Sequence, residues 1–484
     1  MTENSISIRR LPLRLMPDSK RTITRFFWPG EERAEKIIKR IKRLSPDRSS
    51  RLLSEILKQF GPANPGLEES LLANCEMAAE EVGVDHECDR DLRMLIGAYF
   101  SMEYAFESAA LFNPSMVQAD DQSNVPDGSL GFVMSLRAVG EGHLSSIVFR
   151  RGTIDGEGDI KVHPASLQVR AFQREKDRKF QKAAARKKIA ALVGTNKFAE
   201  AIMCELPDVF SFATLEQTIE RLAPGYEDRD AFDRISGLLK MMAESEYEIR
   251  INRPVNLEDM VLFPISSTES QGMEDMRLVR FEDDDGTRCY YGTYTAYNGR
   301  EIVPQVLEVS RQGGAMVHMM RGKFARNKGM ALFPKRIDGQ YAVIGRIDGE
   351  NLFLLKSDSI DCWDNAVRII EPEYDWEFVQ IGNCGSPLRT DDGWLLLSHG
   401  VGPMRKYCMG AVLLDLKDPS KVIARLETPL MSPIEEERSG YVPNVVYSCG
   451  ALIHRDNLVI PYGISDMATG FAIVSLRELM SNLK

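Results

Sequence analysis

The chain has 484 residues and a net charge of −10, which opposes a general nucleic-acid role, because binding to phosphate backbones favours a basic surface. Its eight cysteines include no CxxC pair and no metal-ligand spacing, and its six histidines are too dispersed for a metal site; the thiols read as reduced and mostly buried, as in a cytoplasmic protein. No apolar stretch is long enough to span a bilayer, and residues 1–10 lack the apolar core of a signal peptide, so no membrane contact is expected.

In chain order, residues 1–108 read as an N-terminal helical extension. Ile37, Ile38, Ile41 and Leu44 recur at helical spacing, as do Leu52, Leu53, Ile56 and Leu57, and the run Leu92, Met94, Leu95, Ile96, Tyr99 and Phe100 marks a buried helix. Residues 109–168 turn β-rich. Residues 169–248 read as a helical insertion, rich in Lys and Arg from Arg174 to Lys188 and then apolar at Ile189–Val193. This stretch and the basic segment from Arg9 to Arg43 both read as solvated faces, because acidic residues recur nearby. Either helical region is a candidate for contacts in a homo-oligomer.

Residues 249–484 repeat one theme: short apolar runs such as Tyr341–Ile344, Leu352–Leu355, Trp394–Leu397 and Leu458–Ile460, separated by Gly, Asp, Asn and Pro. Many short strands with frequent turn signals argue for an all-β body. Asp338-Gly339, Asp348-Gly349 and Asp392-Gly393 suit hairpin turns, where Gly tolerates positive φ. A propeller removes long open edges by radial repetition and gathers strand ends around a central channel. The expected fold is mainly β, a propeller with the helices outside it.

Between two of these runs stands Gly272-Met273-Glu274-Asp275-Met276-Arg277. Two adjacent carboxylates and an arginine at a strand entrance place one carboxyl as a proton donor whose neighbours set its pKa. The surrounding segments follow in order: Tyr291-Gly292-Thr293-Tyr294-Thr295-Ala296, Ala331 to Lys335, Gly393-Trp394 with His399-Gly400-Val401, Leu413 to Leu416 with Asp418-Pro419, Gly440 to Val446, and Tyr462 to Asp466; upstream lie Leu111 to Pro114 and Ser135 to Arg137. This ordered series resembles glycoside hydrolase family 130, the β-mannoside phosphorylases and β-mannosidases. The resemblance implies a five-bladed β-propeller with its active site in the central cavity. The lack of a signal-peptide pattern suggests that any polysaccharide is met as short, imported pieces. Two departures stand out. Met276 replaces a proline that would stiffen the backbone beside the acid, and Gln380 replaces a lysine, keeping hydrogen bonding but losing a charge.

By the same resemblance Asp275 is the catalytic acid, its proton passing through a hydroxyl of the bound mannoside. Asn113, Arg137, Glu274, Arg277, Tyr294 and Asp466 are expected to bind substrate. The cationic candidates are Arg326, Lys328, Lys335 and His399, with phosphate assigned to Arg326, Asn327, Lys335 and His399, since a planar guanidinium matches phosphate and an amide donates to it. Trp376, Tyr294 and Tyr407 are candidate stacking platforms, and the loops Asp120 to Ser123 and Gly140 to His143 are candidates to close over a sugar. No cofactor or metal is expected, only inorganic phosphate as co-substrate. Phosphorolysis, giving α-mannose 1-phosphate, is favoured over hydrolysis because phosphate needs cations and no base, whereas water needs a second carboxylate. Gln380 keeps the hydrolase open. A non-catalytic carbohydrate-binding propeller is opposed by the retention of Asp275 beside the cations.

Overall fold

The computed structural model describes residues 6–82, 88–167, 169–171, 173–174, 178–250, 257–310 and 314–484. The first five residues of the N-terminal reading and residues 175–177 of the basic stretch lie outside that set.

The body is mainly antiparallel β, arranged as five successive meanders. The first runs Ala110–Gln118, Leu130–Val139, Ser145–Ile154 and Ile160–Val162. The second runs Gly272–Glu282, Arg288–Tyr297, Ile302–Ser310 and Ala315–Met319. A single parallel pairing of Gly272 with Ser145 joins these two into one continuous hydrogen-bonded sheet. The third holds Ala331–Leu332, Tyr341–Gly345, Leu352–Ser357 and Ala366–Ile370, and the fourth Gln380–Asn383, Trp394–Val401, Tyr407–Leu414 and Val422–Arg425. The fifth contains Val446–Tyr447, Asn457–Ile464 and Ala468–Ser475. Trp394–Val401 is buried along its whole length, as a strand covered on both faces requires.

Each meander touches the next. Leu278 N–H donates to Ser115 Oγ at 2.9 Å between first and second, and Thr293 Oγ1 to the Met330 carbonyl at 2.5 Å between second and third. Ile381 N–H donates to the Glu350 carbonyl at 2.9 Å between third and fourth, and Tyr407 N–H to the Asn444 carbonyl at 2.9 Å between fourth and fifth. Cys449 N–H, next to the fifth, donates back to the Pro114 carbonyl of the first at 2.8 Å. The turns divide by mechanism. Asp338 and Gly339 have φ of 52° and 75°, the double positive φ of a tight hairpin turn. Gly393 is a glycine for lack of room: a Cβ there would lie 2.6 Å from the Leu414 carbonyl oxygen.

Helices pack outside the sheets in two groups. Glu31–Ile41, Pro46–Phe60, Leu67–Val82 and Arg90–Tyr99 share a core of Ile38, Leu53, Leu71, Leu95 and Phe100. Lys182–Val193, Lys197–Glu205, Phe212–Leu222 and Arg229–Glu244 share another, which includes Met319 of the second meander. No helix among the described residues is long and apolar enough to cross a membrane.

Several local expectations change. Ile8–Leu15, read as part of a helical extension, is a strand paired with Ala468–Ser475 on the edge of the fifth meander. Thr22–Phe26 and Ser101–Ala105 form an antiparallel pair that closes the ends of the first helical group. Lys179–Gln181 is also strand, and the helix begins only at Lys182. The basic stretches are paired rather than merely solvated. Arg10 donates to Glu437 at 3.0 Å, and buried Arg21 and Arg150 converge on buried Glu107. Lys188 pairs with Glu246 and lies 3.2 Å from Asp361, which also receives Arg321 at 2.6 Å. Glu246, His318 and Asp361 lie close enough to suggest a metal site, but these cations already neutralise both carboxylates.

Candidate active site

Two neighbouring strands carry the same irregularity. In Gly272–Glu282 the register against Arg288–Tyr297 shifts between Glu274 and Arg277, and in Ala110–Gln118 it shifts between Phe112 and Ser115. Asp275 (φ 51°) and Asn113 (φ 50°) sit at these bulges in the left-handed region. Asx residues accept that region better than other non-glycine residues, and bulges re-aim side chains beside functional sites. Here they bring Asn113 Nδ2 to 2.8 Å from Asp275 Oδ1. Asp466 (φ 53°) occupies a third such position, in the turn after Asn457–Ile464.

The three Asx side chains face one cavity of about 190 Å³, shared with Arg137, Arg277, Lys328, Arg346, His399 and Arg405. Arg137 spans both carboxylates of the motif, 3.4 Å from Asp275 Oδ1 and 3.0 Å from Glu274 Oε1. Lys328 Nζ donates to Glu274 Oε2 at 2.5 Å. Arg277 donates to the Asp275 carbonyl at 2.9 Å and to the Tyr447 hydroxyl at 2.5 Å. Burial alone would raise the Asp275 carboxyl, but Arg137, Arg277 and the Asn113 hydrogen bond hold it below the usual range. Asp466 goes the other way: burial and then the Asp275 charge raise it to about 6, against the pull of Arg137 and Arg405. The two carboxyls of one cavity are thereby pushed in opposite directions in the empty site.

A further part of the lining is cationic. Arg346 Nη1 lies 3.4 Å from His399 Nε2. Burial, then Arg346 and Arg277, hold the imidazole well below its usual pKa, so it is neutral and keeps one N–H to donate. Arg346 Nε and both side-chain amide atoms of Asn383 are buried with no hydrogen-bond partner among the described residues. Buried polar groups are normally paired, so this wall is built to receive something. Gly382 faces His399 across the strand pair, and a Cβ there would lie 2.2 Å from the imidazole Cε1.

Of the residues expected from sequence, Asn113, Arg137, Asp275, Arg277, His399 and Asp466 line the cavity, and Glu274 lies behind it on Arg137 and Lys328. Arg326, Asn327 and Lys335 do not line it, and Arg326 is exposed. Asn327 instead turns the chain (φ 66°) so that Lys328 reaches the cavity. Tyr294 is corrected from a substrate residue to a core one: it is buried, its hydroxyl 2.8 Å from the Glu269 carboxylate and 2.5 Å from Gln305 Oε1, because its strand position faces the second meander's interior. Trp376 is likewise a packing residue, its indole N–H donating to the Glu427 carbonyl at 3.0 Å, whereas Tyr407 lines the cavity stacked on His399 with ring centroids 6.0 Å apart. Sequence reasoning missed Arg346, Arg405, Asn383 and Tyr447. Arg346 had one signal, a charge ending the apolar run Ala342–Gly345 just before an Asp-Gly turn.

Fold and site thus define a mainly β protein with one buried cavity holding a low carboxyl, a raised carboxyl and a cationic wall. The family model for glycoside hydrolase family 130, described as beta-1,4-mannooligosaccharide phosphorylase, matches residues 239–484. The chain is 32% identical over 242 residues to the 1,2-beta-oligomannan phosphorylase of Thermoanaerobacter sp. (strain X514), covering 48% of this chain and 75% of that one. It is 35% identical over 218 residues to the beta-1,2-mannobiose phosphorylase of the same organism, covering 44% and 69%. The solved beta-1,2-mannobiose phosphorylase of Listeria innocua in complex with beta-1,2-mannobiose aligns with a TM-score of 0.45 at 18% identity, covering 78% of this chain and 92% of that one. The chain belongs to glycoside hydrolase family 130.

Proposed function

We propose that the protein cleaves β-mannosides by inverting phosphorolysis, releasing α-mannose 1-phosphate and a saccharide one unit shorter. The observation that carries this reading is the cationic wall with its unpaired donors, in the same cavity as Asp275. A phosphate dianion needs charged and hydrogen-bonding donors and no base. Lys328, Arg346, His399 and Asn383 supply them. Lys328 has three N–H donors and keeps Glu274 while using another. The relatives named phosphorylases of β-linked mannosides support the same substrate class.

In this mechanism a phosphate oxygen bonds to the anomeric carbon from the face opposite the glycosidic oxygen. The C–O bond to the leaving sugar breaks, and that oxygen takes a proton originating on Asp275, relayed by a hydroxyl of the bound mannoside. In the empty site Asp275 is an anion, since its neighbours hold its pKa down. Phosphate brings negative charge beside it and engages the cations that depress it, both of which favour the protonated acid. Arg137 and Asn113 position the carboxyl, and Asp466 binds the sugar.

We also propose that the five meanders are the blades of one five-bladed propeller, supported by the succession of contacts that leads from the fifth back to the first. The helical regions then divide the chain as a decoration before the first blade, within about residues 16–108, and an insertion between first and second, at about residues 169–248, while Ile8–Leu15 joins 109–168 and 249–484 in building the blades. A cytoplasmic setting suits the eight unpaired thiols.

The test is incubation with β-1,2- and β-1,4-mannobiose, with and without phosphate. Mannose 1-phosphate formed only with phosphate supports the reading. Free mannose in phosphate-free buffer, with no mannose 1-phosphate at saturating phosphate, overturns it and makes Asp466 the base for water.

A further inference from the structure

The cavity, at about 190 Å³, is smaller than the roughly 300–1,000 Å³ of sites that enclose a whole drug-sized ligand. Any substrate longer than its reacting unit extends past the mouth. Two loops meet there. Val442 and Val445 line the cavity, and Tyr441, beside Val442, stands 73% exposed. Against it packs His143, on the loop after the strand that bears Arg137; its ring centroid is 5.7 Å from that of Tyr441 at 31° between planes.

Both loops are held in place. Val442 N–H donates to the Ser465 carbonyl at 3.0 Å, and Arg438 Nε to Asn444 Oδ1 at 2.8 Å. On the His143 loop, the Glu141 carbonyl accepts from Tyr104 Oη at 2.6 Å. His143 takes a positive φ of 61°, uncommon outside glycine, which commits its ring to this place. A third loop adds Met404 and Arg405, both left-handed (φ 58° and 54°): Arg405 turns into the cavity while Met404 is 90% exposed. A large exposed aromatic backed by a second ring and fixed by its loop has a free apolar face beside an entrance, and sugars present C–H faces that pack on such rings.

We propose that Tyr441, backed by His143, is a stacking platform for sugar units of the substrate that lie outside the cavity, so that the protein discriminates in favour of β-mannosyl chains longer than a disaccharide. This rests on the β-mannoside reading of the cavity. Arg405 supplies the hydrogen bonds at the boundary between cavity and platform.

The test is calorimetric titration of the intact protein with β-1,2- and β-1,4-linked mannobiose, mannotriose and mannotetraose, alongside mannose 1-phosphate release. The wild type should bind the best trisaccharide about three- to tenfold more tightly than the matching disaccharide, the worth of one stacked ring. Tyr441→Ala should erase that ratio, Tyr441→Phe should keep it, and His143→Ala should reduce it. An equal affinity for all lengths in the wild type, or an unchanged ratio in Tyr441→Ala, overturns the platform. Length discrimination without any mannose 1-phosphate leaves the platform standing and refutes phosphorolysis; mannose 1-phosphate without length discrimination does the reverse.

Discussion

Replacing Arg346 by alanine discriminates between the anion site read from sequence and the one the fold builds. Arg346 lines the cavity with its Nη1 3.4 Å from His399 Nε2, whereas Arg326 is exposed and outside it. Hydrogen bonds to a charged group contribute about 1.5–3 kcal/mol each. Loss of one such bond to phosphate therefore raises the phosphate KM about 10- to 150-fold, at tenfold per 1.4 kcal/mol. The mannoside KM at saturating phosphate should move far less. Arg346 is also, after burial, the foremost cause of the depressed His399 imidazole. Arg346→Ala should therefore raise the His399 pKa, visible in the histidine ring NMR resonances. The assay is the initial rate of mannose 1-phosphate release as phosphate is varied, for wild type, Arg346→Ala and Arg326→Ala. The reasoning fails if Arg326→Ala raises the phosphate KM as much as Arg346→Ala, or if Arg346→Ala leaves it unchanged.

Asp275→Asn should lower turnover about a hundredfold or more with the circular dichroism spectrum intact, since an amide cannot deliver the proton; near-normal turnover would remove Asp275 from the mechanism. Asp466, raised from 3.8 to about 6, binds its proton more tightly in the folded than in the unfolded chain. Its contribution to stability is therefore lost as pH rises from about 4 through 6, by about 3 kcal/mol. Asp466→Asn should remove that slope from the Tm-against-pH curve, and an unaltered curve would refute the raised carboxyl. Gly382→Ala should displace the His399 ring, because the new Cβ would lie 2.2 Å from Cε1, and the phosphate KM should rise with it; crystals with the ring unmoved would contradict this. Tyr294→Phe should cost about 1–3 kcal/mol in urea unfolding by leaving buried Glu269 short of a donor, while both KM values hold; a raised mannoside KM without loss of stability would return Tyr294 to the substrate.

The acidic half of the cavity was legible because it is local. Glu274, Asp275 and Arg277 are adjacent in sequence, and the motif order supplied Asn113, Arg137 and Asp466. The cationic half was legible only in part: His399 and Lys328 were candidates and line the cavity, whereas Arg326 and Lys335 do not and Arg346 went unread. Lys328 and Arg326 are two residues apart, and only the left-handed turn at Asn327 decides which faces inward. Arg346 ends a buried strand as many surface arginines do, and its role follows from the next meander delivering His399 beside it. Tyr294 misled because an aromatic on a β run fits a sugar platform and a core equally well; Glu269, at the end of a short helical turn before the motif, settles it by taking its hydroxyl. The helices were legible from their periodicity, but Ile8–Leu15 was not, since alternating Arg and Leu carry no local sign of a partner near residue 474.

That strand gives the chain an order of assembly. Ile8–Leu15 is made well before its partner Ala468–Ser475, more than 450 residues further along the chain. Until then the early strand has nothing to pair with, and pairing between segments so far apart is intrinsically slow. Arg9, Arg10 and Arg14 stud it with positive charge, as edge strands that avoid foreign partners are studded. In the finished protein Arg10 is received by Glu437 and Arg9 by Asp159. The same arginines that guard the waiting strand then become its latch. A fragment limited to residues 239–484, the part that matches the family model, would lack this strand together with Asn113 and Arg137. It would present the edge of Ala468–Ser475 to neighbouring chains, and Asp275 would lose two of its partners at once.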